Sequence, residues 1–198
     1  ITFTVAPISV TIDGAGLTQP AALVPVLVVV PSAVLPAGTL NNFQTWNQAT
    51  PGGSPMPSAG NLFHAYVLHP TGIANEYLVV FDSELLTVPV PVNPAGEVAT
   101  FPITPGVAVQ AGDVIAFYGE GIPVDTGSGT DVLSYPAPVA PAQSSTITLG
   151  VDPFPIYPQA RTYSFAATVT PTVTDPGTGT QATATVNPKT GGISAITV

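Results

Sequence analysis

Eleven acids and two histidines are spread thinly along this chain, and few of them stand where they could act together. The stretch VDTGSGTD, residues 124–131, sets Asp125 and Asp131 six apart with Gly127 and Gly129 between them. Carboxylates around glycine-enabled carbonyls suit Ca²⁺, which takes about six to eight oxygen ligands. Calcium loops carry acids at alternate positions, where this stretch has Thr126, Ser128 and Thr130. A Gly-rich surface turn is therefore the plainer reading, and Ca²⁺ at Asp125 and Asp131 is the one cofactor the pattern leaves open. His64 and His69, in LFHAYVLHP, are five apart. On a strand that spacing sends them to opposite faces, so they are expected to be structural and not joint ligands of a metal. Asp82 and Glu84, in DSE, read as a turn at a strand end. Asp113 reads as a turn aspartate before a buried strand, and its spacing to Glu120 does not favour paired-carboxylate glycosidase chemistry. In NNFQTWNQ, residues 41–48, the lone Trp46 and Phe43 stand beside Asn42, Gln44 and Asn47. Aromatic faces next to amides suit a glycan, stacking on its C–H surfaces and bonding its hydroxyls. The bland alternative is a loop packing its Trp against the fold or a neighbouring subunit.

Asp125-Thr126-Gly127-Ser128 also resembles the active-site turn of aspartic proteases, where two such aspartates share a proton. A single copy would need a homodimer, and elsewhere the chain offers only TDPGTG, 174–179. Gly121 and Pro123 interrupt the apolar strand that should precede the turn. NPKTGG, 187–192, resembles a sortase signal, which precedes an apolar helix and a basic tail; residues 192–198 supply neither, and a hairpin turn is expected. No catalytic residue and no enzymatic activity are expected.

The elements that carry these residues are strands. Twenty-four prolines leave no room for long helices, and period-2 segments recur throughout. Strands are predicted at 23–30, 62–68, 77–81, 85–92, 98–103, 114–118, 145–149, 162–169, 181–186 and 193–198, with ITFTV and ISVTI at the start. Gly, Pro, Asn and Asp clusters separate them. The expected fold is all-β, an antiparallel β-sandwich of jelly-roll or Ig-like kind with extended terminal strands, one domain over 1–198. Residues 37–61 and 119–144 read as long loops. The apolar run 21–36 is too short for a membrane helix and is broken by Pro25 and Pro31, so it reads as buried strand.

Composition narrows the partners. Only 7% of residues are charged, the net charge is −9, and Arg161 and Lys189 are the only fixed cations. Nucleic acid and anionic membrane surfaces are disfavoured, because both require clustered Lys and Arg, and no membrane insertion is expected. A surface this poor in charge is expected to be covered by neighbours. Without cysteine, disulfides and thiolate metal sites are excluded. The start at Ile1 is read as a processed end.

Residues 168–198 have a Thr/Val/Ala/Gly texture: PTVT at 171–174, Gly177-Thr178-Gly179, ATATV at 182–186 and GGISAITV at 191–198. This segment resembles short β-repeats of large exported bacterial surface proteins, in which a return strand like ITFTV follows. The resemblance covers about a sixth of the chain and implies an extracellular or cell-surface protein without a particular activity. The expectation is a structural subunit of an extracellular filament or matrix, a homopolymer joined by β-strand addition. Residues 1–12 would be the exchanged strand and 168–198 a hairpin arm, with Ile1, Phe3, Val5, Ile8, Val10, Ile193, Ile196 and Val198 at the joint. The alternative is a carbohydrate-binding module of a larger surface protein.

Overall fold

A computed structural model describes residues 25–48 and 58–172, and the backbone of 8–9, 183–186 and 193–197. Among the described residues there is no helix. The strands are β1 (Ile8–Ser9), β2 (Val26–Val34), β3 (Gly38–Asn47), β4 (Leu62–Pro70), β5 (Glu76–Thr87), β6 (Glu97–Val109), β7 (Val114–Gly119), β8 (Val124–Thr126), β9 (Val132–Ser134), β10 (Thr146–Thr148), β11 (Ile156–Tyr157), β12 (Arg161–Tyr163), β13 (Phe165–Pro171), β14 (Thr183–Val186) and β15 (Ile193–Thr197). A four-stranded sheet runs β1-β13-β3-β6, and a seven-stranded sheet runs β10-β5-β4-β7-β2-β9-β11. β8 pairs with β12 and β14 with β15, and every pairing is antiparallel.

Strands that lie between two apolar layers must be apolar on both sides, and the sequence of the central strands reflects this. In Val26-Leu-Val-Val-Val30, residues 26, 28 and 30 join the core shared by the two sheets, while Leu27 and Val29 join a second core. β7 divides in the same way, with Ile115 and Phe117 inward and Val114 and Ala116 in the second core. Phenylalanines fill the first core. Phe43 stacks on Phe165 at 5.6 Å between centroids, and Phe63 meets Phe101 edge-on at 5.1 Å. The second core is closed by Ile147 on the edge strand β10 and by Ala137, Leu149 and Phe154 from connecting segments. The Tyr118 hydroxyl fastens that cover by donating to the Ala137 carbonyl at 3.0 Å. The fold is an all-β antiparallel sandwich whose larger sheet curls into half a barrel.

Several expected boundaries are corrected. The long loop 37–61 contains β3, a ten-residue strand at the centre of the smaller sheet. A register shift between Leu40 and Asn42 breaks its alternation, and amides on its outer side hide the pattern. The predicted strands 77–81 and 85–92 are one strand, β5, which ends at Thr87 and carries an irregularity opposite His64 and Tyr66. β6 continues through Thr104–Val109, where the Pro-Gly sequence reads as a separator. The loop 119–144 holds the short strands β8 and β9. No helix among the described residues is long and apolar enough to cross a membrane.

Candidate functional site

The two sides of the four-stranded sheet present different edges. β6, the edge strand, carries Pro102 and Pro105, and proline has no backbone donor to offer a ladder. β13 is different: Phe165 to Val169 are all buried, at no more than 9% exposure. Along its other flank, among the described residues, Ile8↔Val169 and Ser9↔Thr168 are paired, to β1. Beside Phe165, Ala166 and Ala167 that flank has no ladder partner among the described residues. Of the residues expected at a subunit joint, Ile8 therefore sits against β13 of its own chain. Ile193 and Ile196 lie on β15, whose partner among the described residues is β14. Ile1, Phe3, Val5, Val10 and Val198 lie outside the described residues, as does NPKTGG.

The five residues expected to contact a glycan do not share a surface. Phe43 and Asn47 are fully buried on the core side of β3, whereas Asn42, Gln44 and Trp46 alternate with them. The period-2 geometry of a strand forces this split. Phe43 belongs to the aromatic core, and the Asn47 amide donates to the Pro89 carbonyl at 2.7 Å, so neither is a sugar contact. The Gln44 amide reaches Thr100 Oγ1 across to β6 at 3.4 Å. Trp46 lies over the turn at Gly96, where an added Cβ would come within 2.9 Å of the indole.

Asp125 and Asp131 also part company. Asp125 is on β8 opposite Thr162. Asp131 is buried, and its Oδ2 accepts the Tyr163 amide hydrogen at 2.6 Å. Burial pushes the Asp131 carboxyl up to about 6, against the opposing pull of that hydrogen bond. The turn between them faces β12: the Thr162 hydroxyl donates to the Ser128 carbonyl, and a Cβ on Gly129 would strike Thr162 Oγ1 and the Arg161 carbonyl. Among the described residues no three His, Cys, Asp or Glu side chains are grouped to hold a metal ion. Arg161, also buried, lies over the Tyr157 ring at 5.2 Å and donates to the Gln159 carbonyl and side chain and to the Tyr163 hydroxyl.

Each histidine on β4 takes a separate carboxylate. His69 Nδ1 lies 2.7 Å from Asp113 Oδ1, and the other oxygen of Asp113 accepts the Gln110 amide, so Asp113 does close a turn. His64 Nδ1 lies 2.9 Å from Asp82 Oδ1. Asp82 and Glu84 are not at a strand end. Ser83 and Glu84 form a bulge within β5, between the pairs Tyr66↔Asp82 and His64↔Leu85. Glu84 adopts φ 60°, a left-handed conformation unusual for a residue with a side chain. The bulge is fastened by Ser83 Oγ, which accepts the Ala65 amide, and by Asp82 Oδ1, which accepts the Glu84 amide. His64 stacks on Tyr66, with ring planes 7° apart, and meets Tyr118 edge-on. Burial, reinforced by Asp82 and Tyr118, pushes the Tyr66 phenol far above its usual range.

A groove of about 340 Å³ opens beside His64, lined also by Leu62, Leu85, Tyr118 and Glu120. Gly119 closes its floor at φ 141°, where a Cβ would meet the Leu62 carbonyl and the Phe63 backbone. The sequence gives no sign of this groove, because His64, Leu85 and Glu120 reach it from segments far apart in the chain. No family model, no curated protein and no solved structure matches the chain.

Proposed function

We propose that this chain is a structural subunit of an extracellular filament or matrix, assembled by β-strand addition along the β13 flank where β1 pairs. The observation that carries the reading is the asymmetry of the four-stranded sheet. The edge strand β6 carries Pro102 and Pro105, while β13 is a buried, largely apolar strand whose flank away from β3 is paired, among the described residues, to Ile8 and Ser9 of β1. An apolar flank of this kind recruits another strand unless it is covered. An added strand in the register of Ile8↔Val169 and Ser9↔Thr168 would set residues 8, 10 and 12 of ISVTI opposite Val169, Ala167 and Phe165. The same strand can fill that flank from its own chain or from a neighbour, which is the economy of domain swapping.

Burying Ile8, Val10 and Ile12 is worth roughly 5–9 kcal/mol. Ordering about five residues costs a comparable ~5–10 kcal/mol of backbone entropy. The ladder hydrogen bonds decide the balance, and a strand at this flank gains them.

Electron microscopy of the purified chain tests the reading. Filaments are expected from the full chain, shorter ones when a peptide of residues 1–12 is added in excess, and none after deletion of residues 1–12. Filaments with unchanged contacts from the deleted chain would refute strand donation.

A further inference from the structure

We propose that the groove beside His64 is a binding site for a neutral hydroxylated ring, a sugar, independent of the assembly flank. The argument begins with the bulge in β5. A strand in plain register would not need Glu84 at φ 60°, and strain of this kind persists where surrounding structure holds it in place. Here Ser83 and Asp82 hold it, and the result is a carboxylate delivered to His64 Nδ1.

A carboxylate only accepts hydrogen bonds, so the Nδ1 of His64 carries the proton. In the neutral ring Nε2 is then left as an acceptor. Stacking on Tyr66 and edge contact with Tyr118 fix the plane of that ring. His64 lines the groove, and so does Glu120, a second acceptor. The rest of the lining is Pro25, Leu62, Leu85 and the Tyr118 ring with Asn61 and two glycines, and Leu62 and Leu85 are exposed at 44% and 57%. A volume of about 340 Å³ is within the range of small-molecule sites, about 300–1,000 Å³.

Hydroxyl donors on a ring with apolar C–H faces match acceptors set into such a bed. Anions are repelled by Glu120 and by the net charge of −9. A pair serving only to satisfy a buried histidine would need neither the strained bulge nor an open cavity beside the ring.

His64 and His69 are the only two histidines, so His69 is a built-in reference. The full chain, labelled with ¹⁵N and ¹³C at histidine, is titrated with glucose, galactose, mannose and N-acetylglucosamine, and is also applied to a glycan array. The expected result is a saturable shift of the His64 ring signals with at least one sugar while His69 stays fixed. Leu85→Arg, at an exposed position, should weaken that binding at least tenfold and leave the His69 signals in place. No saturable His64 shift with any of the four sugars and no array binding would overturn the proposal. So would equal movement of both histidines, or a response to tetramethylammonium in place of sugars.

Discussion

At its centre the seven-stranded sheet is apolar through its full thickness, and β3 and β6 of the four-stranded sheet are apolar on one side only. On β7, Ala116 and Phe117 are adjacent and both buried, each in a different core. On β6, Thr100 is exposed and its neighbour Phe101 is buried. The difference is what covers the outer side. Ala137, Leu149 and Phe154 close over the larger sheet, and the outer side of β3 and β6 is left to cross-strand polar contacts such as Gln44 to Thr100. A continuous apolar run and an alternating one are thus two statements about neighbours more than about the strands themselves.

That contrast can be broken by substitution. Ala116→Asp places an unpaired charge in the second core and should unfold the chain or cost at least about 3–5 kcal/mol in urea denaturation. Phe117→Ala, on the opposite face, should lose about 3–5 kcal/mol. Equal intolerance at two successive positions is the signature of a strand covered on both sides; a tolerated Ala116→Asp would mean that the cover opens freely.

The corner where β12 leads into β13 gives the next largest effect. Asp131 has an ordinary value of 3.8 and a folded value of about 6, so the folded state holds its proton more tightly. The stability this contributes is fully present below about pH 3.8 and is lost as pH rises through about 6, amounting to roughly 3 kcal/mol at most. Asp131→Asn keeps an oxygen acceptor for the Tyr163 amide and removes the titration. Urea midpoints near pH 3.5 and near pH 7.5 should therefore diverge less in the variant than in the parent.

The smallest effect is expected on the open side of β6. Thr100→Ala gives up one long hydrogen bond and should change stability by no more than about 0.5 kcal/mol, while Phe101→Ala, one residue on, should cost about 3–5 kcal/mol. Comparable losses at both positions would mean that the outer side of this sheet is covered too.

Where burial alone shaped the sequence, the fold was legible in it. Val26–Val30 and Val114–Phe117 are strands by composition, and prolines and glycines mark most of their ends. β3 was not legible, because Asn41, Asn42, Gln44 and Asn47 look like loop residues and the shift after Leu40 spoils the period. DSE looks like a turn for a related reason: a bulge in a strand uses the same left-handed backbone as a turn. The partners of His64 and His69 lie 18 and 44 residues away, beyond any spacing rule. Asp125 and Asp131 were close in sequence, yet β12 parts them: the Tyr163 amide donates to Asp131 and the Thr162 hydroxyl to the Ser128 carbonyl between them.

Arg161 carries a last consequence. Trypsin cuts only after lysine and arginine, so it has just two targets in this chain, and one of them is enclosed by Tyr157, Gln159 and Tyr163. Cleavage between Arg161 and Thr162 has to wait until β12 separates from β8. The protease therefore works as a clock for the opening of that ribbon, timed by a single bond in the described part of the chain.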